Sequence, residues 1–327
     1  MPAQELPLIA GAGPTGKGAA LFLARAGIAT RIIDIAAEPA RQSKALAVNP
    51  RTLEILEPTG VTEQMLDLGL KIRRACLHSD GKKVAELRLD QLSRKFPFML
   101  ALSQAVTERL LGEALAKLGH QVERGVGLAT CSNSADGVHA ELQTQATGAT
   151  ERVTCPWLLA ADGTHSAARK SLGVQFAGSS FDSPWYLADL PLQTSLEDDT
   201  AHVLLIRGGF VFAIRVVSDD SPAQAAQPLW RVISNLQNPV ERLKVAEPTG
   251  PPLWESSFYI GHRINEYLQV GNIYFAGDAA HVHSPLGARG MNLGLEDACV
   301  FAQLAATNQL ARYSDLRKRV DGRVVRR

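Results

Sequence analysis

Apolar residues run from Leu6 to Ala10, stop at Gly11, and recur as Ala19, Ala20, Leu23 and Ala24 before Gly27. A short apolar run closed by glycine predicts a buried strand and a tight turn, and the spacing that follows predicts a helix. A second, β-branched run from Thr30 to Ile35 ends around Asp34, so the opening residues predict a βαβ unit. Asn49 followed by Pro50 has the form of an N-cap with proline at the first helical position, which opens a helix in PRTLEILEPTG.

From Leu77 to Phe98 the pattern is strand-like and polar, and helical spacing resumes from Thr107 to Leu118 through Leu110, Leu111 and Ala114. Val122 to Ala161 alternates strand-like runs with turn signals, which predicts a β-meander leading into the apolar run WLLAADG. Most remaining strand candidates lie between Phe181 and Phe258. Ile273 to Ala276 predicts a buried strand, GDAAHVHSPLGARG a loop, and Met291 to Ala306 a helix. The expected organisation is a nucleotide domain in three pieces, 1–76, 99–178 and 265–327. Strand-rich excursions at 77–98 and 179–264 supply a substrate domain.

Composition narrows this picture. A chain of 327 residues with 46% hydrophobic content can fill a sizeable core. Lys+Arg 34 against Asp+Glu 33 leaves a formal charge of +1, so no global field recruits nucleic acid or an anionic membrane. No run of about 18 apolar residues occurs, and no transmembrane segment is expected. The four cysteines, Cys76, Cys131, Cys155 and Cys299, show no CxxC spacing and fit a reducing cytoplasm, each as a small buried hydrophobe.

Gly11, Gly13 and Gly16, with Pro14 and Thr15 between the last two, form GAGPTG. The first glycine permits the turn, the second lets the backbone approach a pyrophosphate, and the third allows close packing at a helix N-terminus that favours anions. Asp34 follows Gly11 by 23 residues, at the spacing of a ribose acceptor; a capping or turn role is the alternative. This unit does not separate NAD from FAD. In AADGTHSAARKSLG, Asp162 and Gly163 end a strand, and taken alone the segment reads as a strand-to-turn Asp-Gly with a solvated arginine. In FAGDAAHVHSPLGARGMNLGLEDA, Asp278 lies just past a buried strand, placed to accept hydrogen bonds from a polyol. The glycines allow backbone N–H groups close to a ring system, and the following helix start supplies positive potential suited to an anionic reduced flavin.

These three segments, in this order, resemble the fingerprints of the aromatic-hydroxylase (para-hydroxybenzoate hydroxylase-like) flavoprotein monooxygenases over nearly the whole chain. The resemblance implies an α/β fold, a doubly wound FAD-binding domain with an inserted, mainly antiparallel substrate domain. It implies that NADPH or NADH reduces FAD and that oxygen, through a flavin C(4a)-hydroperoxide, hydroxylates a small phenolic substrate. It places Gly11, Gly13, Pro14, Thr15, Gly16 and Asp34 on the ADP part of FAD, Lys44 on a phosphate, and Gln104 near the flavin nucleotide. Asp162 and Gly163 fall on FAD and nicotinamide, Asp278 on the ribityl chain, and Gly287, Gly290, Met291 and Asn292 on the isoalloxazine-facing loop. Pro285 and Gly287 take the catalytic positions over flavin and substrate. Lys44, Ala288 and Arg289 depart from the commoner arginine, glycine and glutamine. A homodimer is the assembly entertained.

Same-fold reactions, epoxidation or reduction, are the alternatives, as is a truncated, weakly active FAD-binding protein; no WxWxIP signature marks a halogenase. His281 and His283 suggest no metal, because nothing nearby in sequence completes a ligand set. The tail from Arg312 to Arg327 holds seven Lys/Arg in 16 residues and reads as a solvated helix face. Its apolar face, Leu316, Val320 and Val324, is expected to lack a partner, which would make the tail easily proteolysed.

Overall fold

The opening apolar run forms β1 (Leu8–Ala10), the alanine-rich stretch α1 (Pro14–Arg25), and the β-branched run β2 (Arg31–Asp34). This computed structural model describes residues 6–39, 46–217, 228–284 and 288–325, without the side chains of residues 324 and 325. Next come β3 (Ala47–Val48), α2 (Pro50–Leu56), α3 (Val61–Leu68) and β4 (Leu70–Ile72). The Asn49 side chain caps α2 by accepting from the Thr52 N–H at 2.8 Å, as its position before proline predicts. A hairpin of β5 (Arg74–Ser79) and β6 (Lys82–Arg88) leads to β7 (Met99–Ala101) and α4 (Gln104–Lys117). Helix α4 starts three residues before the apolar periodicity because Ser103 caps it, its hydroxyl accepting from the Val106 N–H at 3.2 Å.

The middle of the chain forms β8 (Val122–Arg124), β9 (Val126–Ser134), β10 (Gly137–Thr144), β11 (Thr150–Cys155), β12 (Leu158–Ala160) and α5 (Ala167–Ser171). Then β13 (Phe176–Ser180), β14 (Trp185–Thr194), β15 (Thr200–Ile206), β16 (Gly209–Val216) and β17 (Leu229–Ser234) follow. Short strands β18 (Ala246–Pro248), β19 (Trp254–Phe258), β20 (Gly261–Asn265) and β21 (Gln269–Val270) return the chain to β22 (Ile273–Phe275). It closes with β23 (His281–Val282), α6 (Arg289–Ala306) and α7 (Tyr313–Val325).

Two sheets position the site. The first has the order β21-β22-β12-β1-β2-β8, parallel throughout except for the β21 edge. Its central strands β1, β12 and β22 are fully buried, which explains why they read as continuous apolar runs. The chain leaves β1 towards β2 on one side and returns as β12 on the other, so strand order reverses beside β1. In such sheets the crevice outside the carboxyl ends at the reversal is the ligand site.

The second sheet has the order β18-β14-β17-β16-β15-β5-β6, with β19 also on β14; it is antiparallel apart from the β15–β5 pair. The 74–88 hairpin and the 185–258 strands therefore share one sheet. Alternation along β16 sends Ile214 and Val216 to the side where they pack with Leu46, Ile72 and Ala101, in or beside the small sheet β3-β7-β4. Val211 and Ala213 point the other way, onto Trp230, Val232 and Leu243. A small sheet, β13-β20-β23, links the two regions. Among the described residues no helix is long and apolar enough to cross a membrane.

Helix α7 corrects one expectation from the sequence. Arg312, Lys318, Arg319 and Arg323 do form a solvated basic face, but Arg317 turns inward with Tyr313 and Asp321, all three buried, while the apolar Leu316 and Val320 are exposed, at 39% and 36%. Polar residues turn inward because each finds a buried partner, and hydrophobic periodicity cannot register that exchange.

Candidate functional site

Gly11, Asp34, Asp162 and Asp278 lie at or just past the carboxyl ends of β1, β2, β12 and β22, neighbouring strands of the parallel sheet. Gly11 has φ +97°, and a Cβ there would strike the Ala161 carbonyl, so the turn after β1 needs glycine for conformation and for space. A Cβ on Gly16 would strike the Gly11 carbonyl. Gly13 differs: it is extended at φ −68°, ψ −174°, and nothing lies within 4 Å of the place a Cβ would take. That opening sits against the first turn of α1, which no side chain caps, leaving its N–H groups free for an anion.

Asp34 ends β2 and reaches into this loop. Its Oδ2 accepts from the Ala12 N–H at 2.6 Å and its Oδ1 from the Ala36 N–H at 2.8 Å. The turn role is therefore present, and each carboxylate oxygen keeps a further lone pair for a ribose hydroxyl. Beside it, the sequence reading missed Lys17, a 3% exposed lysine whose ammonium donates to the Glu108 carbonyl at 3.0 Å and meets Oε2 of Glu108 at 3.5 Å. Burial lowers its pKa, against the pull of Glu108. Gln104, at the start of α4, donates to Oε1 of the same glutamate at 2.9 Å. Gln104 thus belongs to a network that fastens α4 to α1.

At the end of β12, Asp162 Oδ2 accepts from the Ala167 N–H at 2.7 Å and the Ala168 N–H at 3.3 Å, while its Oδ1 is buried with no partner. Burial raises its pKa despite hydrogen bonds from Ser166 and the main chain. Gly163, at φ +77°, makes the turn. Arg169 is buried, not solvated: it donates to the carbonyls of Ala279 at 3.2 Å and Thr164 at 2.5 Å, and stacks on Phe176 with its guanidinium 4.1 Å from the ring centroid. It ties the Asp162 segment to the Asp278 segment.

Asp278 follows β22. Its residue surface is open to solvent, yet protein walls surround the carboxyl on most sides, the situation of a group on the flank of a cleft. Those walls raise its pKa, opposed by the nearby His281 and a hydrogen bond with Thr164. Thr15 packs against Gly277 and Gly294, where side chains would meet it, so the loop after β1 and the segment after β22 touch. Ala288 enters α6 in the left-handed region at φ +52°, a conformation that glycine adopts more cheaply. Met291 is buried and Gly290 partly so. The Asn292 side chain accepts from the Asn49 N–H at 2.9 Å and donates to the carbonyls of Ala47 at 2.8 Å and Ala288 at 2.5 Å. Its amide is thus fully committed to holding α2 on α6. Lys44, Pro285 and Gly287 lie outside the described residues.

Behind this edge lies a buried charge network that the sequence did not reveal. His281 Nε2 meets Asp297 Oδ2 at 2.7 Å, and the Gly277 N–H donates to the same oxygen at 2.9 Å. Arg317 donates to Asp297 Oδ1 at 2.5 Å and to Asp321 Oδ1 at 2.9 Å. His281, Asp297 and Asp321 have the spacing of a metal cluster, but the Arg317 guanidinium already supplies a cation to both carboxylates. Burial opposes charging His281, yet the Asp297 carboxylate prevails and raises its pKa. Burial and the Asp297 charge push Asp321 up to about 7.

The open space at Gly13, the unpaired Oδ1 of Asp162 and the walled carboxyl of Asp278 form one continuous edge with phosphate-compatible N–H groups at one end and hydroxyl acceptors along it. That fits an extended dinucleotide, and the fold and edge define a doubly wound nucleotide-binding protein with an inserted antiparallel sheet. The model of the FAD binding domain family matches residues 7–327, and the chain belongs to that family. The chain is 38% identical over 307 residues to 6-methylpretetramide 4-monooxygenase of Streptomyces rimosus, covering 89% of this chain and 54% of that protein. It is 28% identical to pentachlorophenol 4-monooxygenase of Sphingobium chlorophenolicum, covering 90% and 57%. The chain therefore spans a little over half the length of these relatives. Among solved structures it resembles p-nitrophenol 4-monooxygenase of Pseudomonas putida DLL-E4, with a TM-score of 0.83, 20% identity, and 98% and 86% of the two chains covered; at that identity the likeness shows the fold.

Proposed function

We propose that this chain serves an FAD-dependent monooxygenase reaction in which NADPH or NADH and molecular oxygen hydroxylate a small phenolic aromatic compound. The observation that carries the reading is the carboxyl edge of the parallel sheet, with open space at Gly13 and the unpartnered Oδ1 of Asp162, in a chain that also inserts a largely antiparallel sheet. The named monooxygenases among its relatives support it.

Bound FAD supplies hydride acceptance and oxygen activation. The chain's own residues bind and orient. In this reading the Gly11–Gly16 loop and the start of α1 hold the pyrophosphate, Asp34 the ribose, and Asp162 and Asp278 the hydroxyls further along the edge. Pro285, Gly287, Gly290 and the main chain of Met291 and Asn292 border the ring system, and Lys44 takes a phosphate. In the same reading the inserted sheet shields the space beside the ring system from water. The proposed compartment is the cytoplasm; Cys76, Cys131, Cys155 and Cys299 are all free thiols.

The test is NAD(P)H oxidation by FAD-loaded protein with and without a panel of phenols and aromatic acids. At least one phenol should accelerate oxidation several-fold. Oxidation indifferent to every aromatic compound would favour a different reaction on the same fold.

A further inference from the structure

His283 lies between the Asp278 segment and the first turn of α6, and none of the roles above uses it. Its Nδ1 is 2.9 Å from the Ser284 carbonyl, which can only accept, so Nδ1 carries the proton and Nε2 presents a lone pair. That Nε2 is buried and has no hydrogen-bond partner. A buried acceptor left unpaired is costly, and natural proteins retain one mainly where a partner arrives.

The surroundings say what kind of partner. The His283 ring stacks on His281, with centroids 6.4 Å apart and planes at 14°, and its Cε1 lies 3.9 Å from the place a Cβ on Gly290 would take. The charged and titratable groups that act on it are His281, Arg289 and His262, all basic. Burial lowers its pKa, the Ser284 hydrogen bond opposes that, and the three basic neighbours reinforce it. His262 in turn carries the exposed Phe181 ring edge-on at 5.6 Å. The corner is basic and aromatic, with one neutral acceptor and the N-terminus of α6 beside it. It suits a ligand that brings an acidic O–H and leaves negative charge on the oxygen.

We propose that His283 is a catalytic residue whose Nε2 receives the hydroxyl proton of the aromatic substrate. The substrate O–H bond breaks, an Nε2–H bond forms, and the electron pair stays on oxygen as a phenolate, which makes the ring electron-rich. The imidazolium keeps its Nδ1–H on Ser284, while Arg289 and the start of α6 offset the phenolate charge. A ligand with no ionisable hydroxyl gains nothing from this corner. The proposal rests on the phenol-hydroxylating reading above.

4-Nitrophenol tests it by colour, independently of turnover, because only its phenolate absorbs strongly in the visible. Difference spectra of the FAD-loaded protein are titrated with it at several pH values for the wild type, His283→Gln and His283→Leu. The wild type should bind the probe as phenolate at a pH about one unit below that needed in water, the scale of shift a neighbouring charge produces. His283→Gln, which accepts a hydrogen bond but no proton, should bind it as the neutral phenol. His283→Leu should lose affinity tenfold or more while still retaining FAD. A His283→Leu protein that binds the probe with wild-type affinity and colour overturns the proposal and leaves the monooxygenase reading standing. A wild type that binds neither this phenol nor any other in the panel overturns both.

Discussion

At the residue scale the three glycines of the first loop separate folding from binding. Gly16 cannot accept a Cβ without striking Gly11, whereas Gly13 has an ordinary backbone conformation and open space beside it. Gly16→Ala is therefore expected to destabilise the protein by about 1–3 kcal/mol, the usual cost of overpacking, with a lower Tm in the absence of FAD. Gly13→Ala should leave the FAD-free Tm unchanged and weaken FAD binding tenfold or more, because the added methyl fills the place proposed for the pyrophosphate. A fluorescence titration alongside thermal melts checks both, and a Gly13→Ala protein with wild-type FAD affinity would remove the pyrophosphate from that loop. The glycine spacing and Asp34 were legible in the sequence because they are local, lying within one βαβ unit. The commitment of the Asn292 amide to Ala47 and Asn49 was not, since the partners are more than 240 residues apart.

At the element scale α7 shows where periodicity misleads. Leu316 and Val320 mark its apolar face, but the helix docks through Tyr313, whose hydroxyl donates to the Phe275 carbonyl at 3.0 Å, and through Arg317, which donates to Asp297 of α6 and to the buried Asp321 of its own helix. Burial is decided here by buried polar partners contributed by β22 and α6, far away in sequence. Replacing Arg317 with alanine leaves Asp297 and Asp321 buried without their cation and is expected to cost about 3–5 kcal/mol. Equilibrium denaturation measures it, and a loss below about 1 kcal/mol would mean the network contributes little.

The same network gives α7 a pH dependence. Asp321 is raised to about 7 and His281 is also raised, so each stabilises the fold most when protonated. Their contribution is complete below the unfolded values and is lost as pH rises through the folded ones. Asp297, where burial is outweighed by Arg317 and His281, is lowered and has the opposite sign, losing its contribution only on strong acidification. Backbone amides of residues 313–325 should therefore exchange faster at about pH 9 than at about pH 6, after correction for intrinsic exchange. Equal protection at both would place the proton elsewhere. A readily clipped tail, the expectation from its sequence, is not expected at mildly acidic pH.

At the scale of the whole molecule, much of the architecture was readable because strand and helix runs alternate with glycine-rich turns in a fixed order. The doubly wound sheet and the inserted antiparallel sheet both appear where those runs lie. The pairing of β5 with β15, which draws the 74–88 hairpin into the second sheet, was only partly legible: a polar, exposed strand such as β6 carries little hydrophobic signal. In the proposed reading that pairing matters because it widens the sheet that shelters the aromatic substrate.

Isotopically labelled oxygen gas tests that central claim most directly. FAD-loaded protein is supplied with NADPH or NADH, the phenol that most stimulates oxidation, and labelled oxygen in unlabelled water, and the products are weighed by mass spectrometry. The account predicts one labelled oxygen atom in a hydroxylated product, formed in step with nicotinamide consumption. A hydroxylated product whose new oxygen comes from water would contradict it.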